Sequence, residues 1–149
     1  MIGVRRKART IALQTLYEVD CSAHQPNETL ARLLQEKTLP DEAADFTRSL
    51  VSGVLKNKKN IDDIIQMFAP AFPVEQVAPI DRNILRLAIF EVLFDNRVPV
   101  KAAINEAIEL AKSFGSDTSQ KFVNGVLGSV TTVYLQGKKQ EATGKAEQA

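Results

Sequence analysis

Apolar residues recur at helical spacing along nearly the whole chain. Ala8, Ala12, Leu16 and Val19 are separated by four, four and three positions and predict one buried stripe on a first helix, Val4–Cys21. Asn27 is placed to cap a second helix whose stripe is Leu30, Leu33 and Leu34. The run Thr38, Leu39, Pro40, Asp41 ends that helix and starts a third, which carries Ala43, Phe46, Leu50, Val54 and the small Gly53. A polar break, NKKN at residues 57–60, precedes a short fourth stripe of Ile61, Ile64, Ile65 and Phe68. Pro70, Pro73 and Pro79 exclude a long helix across the next segment and leave room for one turn within residues 74–78. Residues 101–114 bury Ala103, Ile104, Ala107, Ile108 and Ala111, and Gly115 stands where a left-handed C-cap belongs. After a polar loop, a last helix carries Phe122, Val123, Val126, Leu127, Val130 and Val133. Gly125 and Gly128 inside it predict close approaches to another helix. No alternation of period two competes anywhere.

The stretch that organises the rest is NILRLAIFEVLF, residues 83–94. It has no polar side, so it predicts a central helix with neighbours on most faces, or one whose outer face binds a partner. It is too short for a membrane span, which needs ~20 apolar residues. Its two charges, Arg86 and Glu91, lie roughly 140° apart around the helix and need separate partners. The residues alone favour an internal ion pair for each; the alternative is that one or both face a second protein. The expected fold is all-α, with about seven helices in two short packed bundles around this central apolar helix. The expected organisation is one domain over residues 1–136, with subdomains 1–69 and 80–135 meeting at the prolines. Residues 137–149 have no apolar periodicity and are expected to be a disordered tail.

Composition narrows function mainly by exclusion. The 149 residues are 44% hydrophobic and 25% charged, with a net charge of +1, so any attraction for nucleic acid must come from local clustering. Cys21 is the single cysteine, which excludes an internal disulfide; with no local base beside it, it reads as a small buried hydrophobe. His24 has no metal-ligand spacing to a second His or Cys and reads as an exposed loop residue. No phosphate-binding glycine loop, metal motif or nucleophile elbow is present, so neither catalysis nor a cofactor or metal is expected. Asp62, Asp63, Glu106 and Glu109 fall on helix faces where solvation or pairing along the helix accounts for them. No signal peptide is apparent, and the default location is the cytoplasm.

The strongest local charge signal is at the amino end. Arg5, Arg6, Lys7 and Arg9 crowd the start of the first helix, with no acid until Glu18. Cations there oppose the helix dipole, so an anionic partner is a reasonable cause. Lys7, Gln14 and Tyr17 share one face, and a cation, an amide and an aromatic ring suit phosphate, base edge and base stacking in turn. The other reading is a solvated basic terminus with Tyr17 tucked against the core, and the residues alone lean slightly toward it.

A resemblance shifts that balance. IDRNILRLAIFEVLF at residues 80–94, PVKAAINEAIELAKSF at 99–114 and KFVNGVL at 121–127 resemble the C-terminal half of the NusB family of bacterial transcription antitermination factors. RRKARTIALQTLYEVD, from residue 5, is similar to that family's basic first helix; the middle of the chain matches mainly in helix pattern. The resemblance implies an RNA-binding protein that recognises the boxA element of ribosomal RNA leaders together with ribosomal protein S10 (NusE). The pair then nucleates an antitermination complex on RNA polymerase. By matching position it implies RNA contacts at Arg5, Arg6, Lys7, Arg9, Gln14, Tyr17, Lys121 and Phe122, and S10 contacts at Asp81, Arg86 and Glu91. Asp81, at the start of the central helix, is expected to be accessible. Thr118 stands where some members carry Asp, and Asp81 where some carry Glu. Two alternatives remain: an RNA-binding domain like the amino-terminal domain of ribosomal RNA cytosine methyltransferases, and a structural homodimer.

Overall fold

The computed structural model describes residues 3–95 and 97–148, with side chains described through residue 135. Among these residues there are seven α-helices and no strand: α1 (Val4–Cys21), α2 (Pro26–Lys37), α3 (Asp41–Lys56), α4 (Lys58–Phe68), α5 (Pro79–Ile89), α6 (Val100–Phe114) and α7 (Ser119–Gln148). A single 3-10 turn, Val74–Gln76, interrupts the proline-rich connector. The α5 helix continues as a wider π-helical turn, Phe90–Phe94, closed by the Asp95 N–H donating to the Phe90 carbonyl at 2.9 Å.

The α5 helix is central because its sequence leaves it no solvent face. Every residue from Asp81 to Val92 is buried. It packs against α1, α3, α4, α6 and α7, so it joins both halves of the chain. One contiguous apolar cluster runs from Ala8 on α1 through Leu50, Ile65, Ile84 and Leu110 to Val130 on α7. The two halves therefore share a core. The connector between them is held in place. Arg82 donates from one nitrogen to the carbonyls of Val74, Glu75 and Val77, and Gln66 bonds both the Phe72 carbonyl and the Val74 N–H.

Local details differ from expectation for identifiable reasons. Pro26, preorganised for the first helical turn, starts α2, so Asn27 lies inside the helix and Gln25 occupies the cap. Gly115 is extended (φ −89, ψ −174), not left-handed; a side chain there would collide with Ser119, whose hydroxyl accepts from the Ser116 N–H. Gly125 and Gly128 face open space. The true close approach is Gly53, where an added Cβ would lie 2.1 Å from the Phe90 ring. Among the described residues the single left-handed one is the β-branched Thr38 (φ 45, ψ 84), which caps α2. Cys21 is exposed, because the stripe of α1 has rotated away from it at the helix end. The backbone of α7 continues helical to Gln148, where a disordered tail from residue 137 was expected. No helix among the described residues is long and apolar enough to cross a membrane.

Candidate nucleic-acid and partner interface

The four cations of α1 do not act alike. Successive helix positions are rotated by about 100°, so a cluster in sequence is spread around the axis. Arg5 and Lys7 are exposed. The Arg5 guanidinium lies 4.5 Å from the Phe46 ring centroid, and Arg97 approaches the same ring at 5.1 Å. Arg6 is half-exposed and makes a two-pronged ion pair with Glu106 of α6, at 2.9 and 3.0 Å. The hydrogen bonds and charge of Arg6 hold the Glu106 carboxyl below its ordinary range, and the pair makes Glu106 a cross-helix partner where solvation or pairing along its own helix was expected.

Arg9 requires a correction. It is buried, and its guanidinium donates to both oxygens of Glu91, at 3.0 and 2.9 Å; the side chains are 5% and 2% exposed. Phe46 stacks beneath the same guanidinium, 5.4 Å away. Neither Arg9 as a phosphate ligand nor Glu91 as an S10 contact fits this geometry. Two charges taken from water so completely require each other.

Arg86 is likewise internal. It donates to both oxygens of Asp62 on α4, at 2.8 and 3.0 Å, to Asp20 at 3.1 Å and to Asn83. Arg82 and Asn83 also donate to Asp20, at 2.8 and 2.9 Å. Burial pushes the Asp20 carboxyl up, but hydrogen bonds from Asn83 and Arg82 and the charge of Arg86 together hold it below its ordinary range. This network ties α1, α4, α5 and the connector; the residues alone favoured an internal partner for Arg86, but the shared acceptor Asp20 and the parts played by Arg82, Asn83 and Asp62 were not foreseen. Its signal was present: Arg82 and Arg86, four apart, share one face of a helix with no room for solvent, so acids from other helices must meet them.

Asp81 is buried too, contrary to its expected accessibility. Its Oδ1 has no hydrogen-bond partner. It borders a cleft of about 400 Å³ beside Phe72, Thr118 and Phe122. Phe72 is 62% exposed, Lys121 is exposed one position before Phe122, and Phe122 is half-buried. A buried carboxylate oxygen with an exposed aromatic rim suits a cationic or amine-bearing group from outside.

The structure brings part of the predicted α1 face together. Lys7 and Gln14 border a cleft of about 500 Å³ between α1, α6 and the α2–α3 turn. Gln14 and the 39%-exposed Tyr17 border the neighbouring cleft above α2. Arg5 opens on a different cleft, beside Phe46 and Arg97. Lys37, Arg97 and Phe114 were not foreseen; they come from segments far away in sequence.

A model of the NusB family matches residues 6–132. The transcription antitermination protein NusB of Dehalococcoides mccartyi is 52% identical over 140 residues, which cover 94% of this chain and 98% of that protein. The protein of the same name from Roseiflexus sp. is 48% identical, covering 93% of this chain and 99% of its own. Among solved structures, T. maritima NusB superposes with a TM-score of 0.84 at 32% identity, covering 95% of this chain and 99% of that one. A chain from antitermination factors NusB and NusE in complex with dsRNA superposes at 0.81 with 27% identity, covering 90% and 100%.

Proposed function

The chain belongs to the NusB family, and on that premise we propose that it is a non-enzymatic transcription antitermination factor that binds boxA-type single-stranded RNA of ribosomal RNA leaders together with ribosomal protein S10 (NusE). The pair would then join an antitermination complex on RNA polymerase. The observation that carries the RNA reading is the unspent charge of α1. Arg5 and Lys7 stay exposed while Arg6 and Arg9 are taken up by Glu106 and Glu91. Two cations are thus left for phosphate: Lys7 beside Gln14 and near the exposed Tyr17, and Arg5 on the adjoining face beside Phe46 and Arg97. The Asp81 cleft, with Phe122 and Lys121 at its edge, is the second surface. Its orphaned carboxylate oxygen supports a cationic S10 side chain or a base amine there.

This reading separates from a methyltransferase-type domain by its relatives, since the curated proteins it spans almost completely are themselves named antitermination proteins. The test is fluorescence anisotropy of a labelled boxA-type RNA against a scrambled control, with and without S10, and light scattering of the same samples. Tighter binding of boxA that strengthens on adding S10, in a particle of one copy of each protein, is expected. Equal binding of both RNAs with no effect of S10, or a homodimer that S10 leaves intact, overturns it.

A further inference from the structure

Two side chains, one from each half of the chain, fix the connector between α4 and α5. Gln66, near the end of α4, bonds to it twice: its Nε2 donates to the Phe72 carbonyl and its Oε1 accepts from the Val74 N–H, each at 3.0 Å. Between those two points stands Pro73, which has no N–H of its own to hold the turn. From α5, Arg82 donates to the carbonyls of Val74, Glu75 and Val77. The backbone of residues 72–77 is thus clasped from two helices, yet the Phe72 ring is left outside. Phe72 and Met67 are each 62% exposed, more than any other large apolar side chain among the described residues. Both belong to the ends of the clasp: Met67 follows Gln66, and Phe72 carries the carbonyl that Gln66 holds. An aromatic ring and a methionine are residue types enriched in the cores of protein interfaces. Phe72 also borders the Asp81 cleft, whose lining residues include one acid, Asp81, and no cation. Such a lining disfavours phosphate and suits a protein that brings a cation.

We propose that Phe72 is the aromatic anchor for the protein partner, S10, and that Gln66 is the residue that positions it. The partner supplies an apolar pocket for the ring and a cationic side chain toward Asp81. The inference rests on the S10 reading above and adds to it two residues that no resemblance singled out. Gln66 acts through Phe72 and not by contact. Its two bonds hold the turn at residues 72–74 in its binding form before S10 arrives, so association does not have to order it. Without them only a fraction of the molecules presents the ring correctly, and the apparent affinity falls by that fraction.

The test is a cycle of Phe72→Ala, Gln66→Met and the double variant in the full chain. Each is titrated with purified S10 and, separately, with boxA-type RNA, beside thermal melts. Met keeps much of the bulk of Gln66 and removes both bonds. Phe72→Ala should weaken S10 binding at least tenfold. Gln66→Met should weaken it at least threefold and shift the backbone ¹⁵N signals of Phe72 and Val74. Added to Phe72→Ala, Gln66→Met should cost nothing more, because the ring it positions is gone. A general loss of stability would instead add in either background. Unchanged S10 affinity in either single variant overturns the inference, as does a loss from Gln66→Met that persists in full without the ring. Variants that lose RNA affinity but keep S10 affinity give this rim to RNA and overturn it too. Tight S10 binding by the wild type and all variants sinks this inference alone, whereas a wild-type protein that binds no S10 overturns the proposed function beneath it.

Discussion

Replacing Arg9 by Ala separates a structural cation from a phosphate ligand. In the folded protein Arg9 gives two charge-assisted bonds to Glu91, and both side chains are almost fully removed from water. Truncating one partner leaves the Glu91 carboxylate buried beside the apolar cluster without a counter-charge, which costs about 3–5 kcal/mol. For a chain of this size each kcal/mol lowers the melting temperature by roughly 2–4 °C, so a drop of about 6–20 °C is expected. The pair itself is worth far less than that, because much of its attraction offsets the desolvation of both ions. Arg9→Met combined with Glu91→Leu should therefore come within about 2 kcal/mol of the wild type. Urea melts followed by circular dichroism, on the two single variants and the double, form the cycle. A strong positive coupling is the expected result. Arg9→Ala with an unchanged midpoint, but with a salt dependence of RNA binding reduced by ~0.7, would show that Arg9 reaches a phosphate and would refute the assignment.

Three further outcomes follow from particular contacts. Gly53→Ala drives a methyl group into the Phe90 ring and should destabilise by about 1–3 kcal/mol, as overpacking does; an unchanged urea midpoint would place that ring elsewhere. Thr38→Asn relieves a β-branched residue at φ 45 and should raise stability by up to about 1 kcal/mol, read as a higher urea midpoint; a lower midpoint would mean that the hydroxyl or methyl makes an essential contact. The Glu18 carboxyl is held at about 2 by hydrogen bonds from Arg32, then Thr29 and His24. A group lowered on folding stabilises above its unfolded value of 4.5 and loses that contribution as the pH falls toward 2. Asp20, Asp95 and Glu106 are lowered as well. The melting temperature should therefore be level above about pH 5 and fall continuously below it, and Glu18→Gln should flatten part of that fall. A melting temperature level down to pH 3 would contradict these pairings.

Helices with an apolar stripe were legible in the sequence, because periodicity reports burial directly: α1 spans the expected residues, and α5 is central because apolar residues occur on every side of it and its polar residues find partners inside. That Arg86 and Glu91 pair internally was legible, but which residues pair with them was not. Arg9 and Glu91 are 82 positions apart and Arg6 and Glu106 are 100 apart, so no local spacing reveals them. A run of four cations in sequence therefore read as one patch, although the helix distributes it between solvent, a half-exposed bridge and the core. Asp62 shows the same failure in reverse. It looked solvated along α4, yet it meets Arg86 of α5. Its neighbour Asp63 does pair along its own helix, with Lys59. Glycine was ambiguous for a related reason: Gly53 is small because a ring from another element lies on it, whereas Gly125 and Gly128 have no such neighbour.

The account turns on which cations of α1 are left for RNA, and the salt dependence of binding measures that number. Wild-type protein and the double variant Arg5→Ala, Lys7→Ala should be titrated with the same boxA-type RNA from low to moderate salt, beside thermal melts. Both replaced side chains are exposed, and only the Arg5–Phe46 contact is lost, worth about 0.5–1 kcal/mol, so the melting temperature should fall by no more than about 4 °C. Each lost phosphate contact lowers the log–log slope by ~0.7 on single-stranded RNA, so the double variant should lose about 1.4. A slope equal to that of the wild type, with the melting temperature within that range, would place the RNA on another surface.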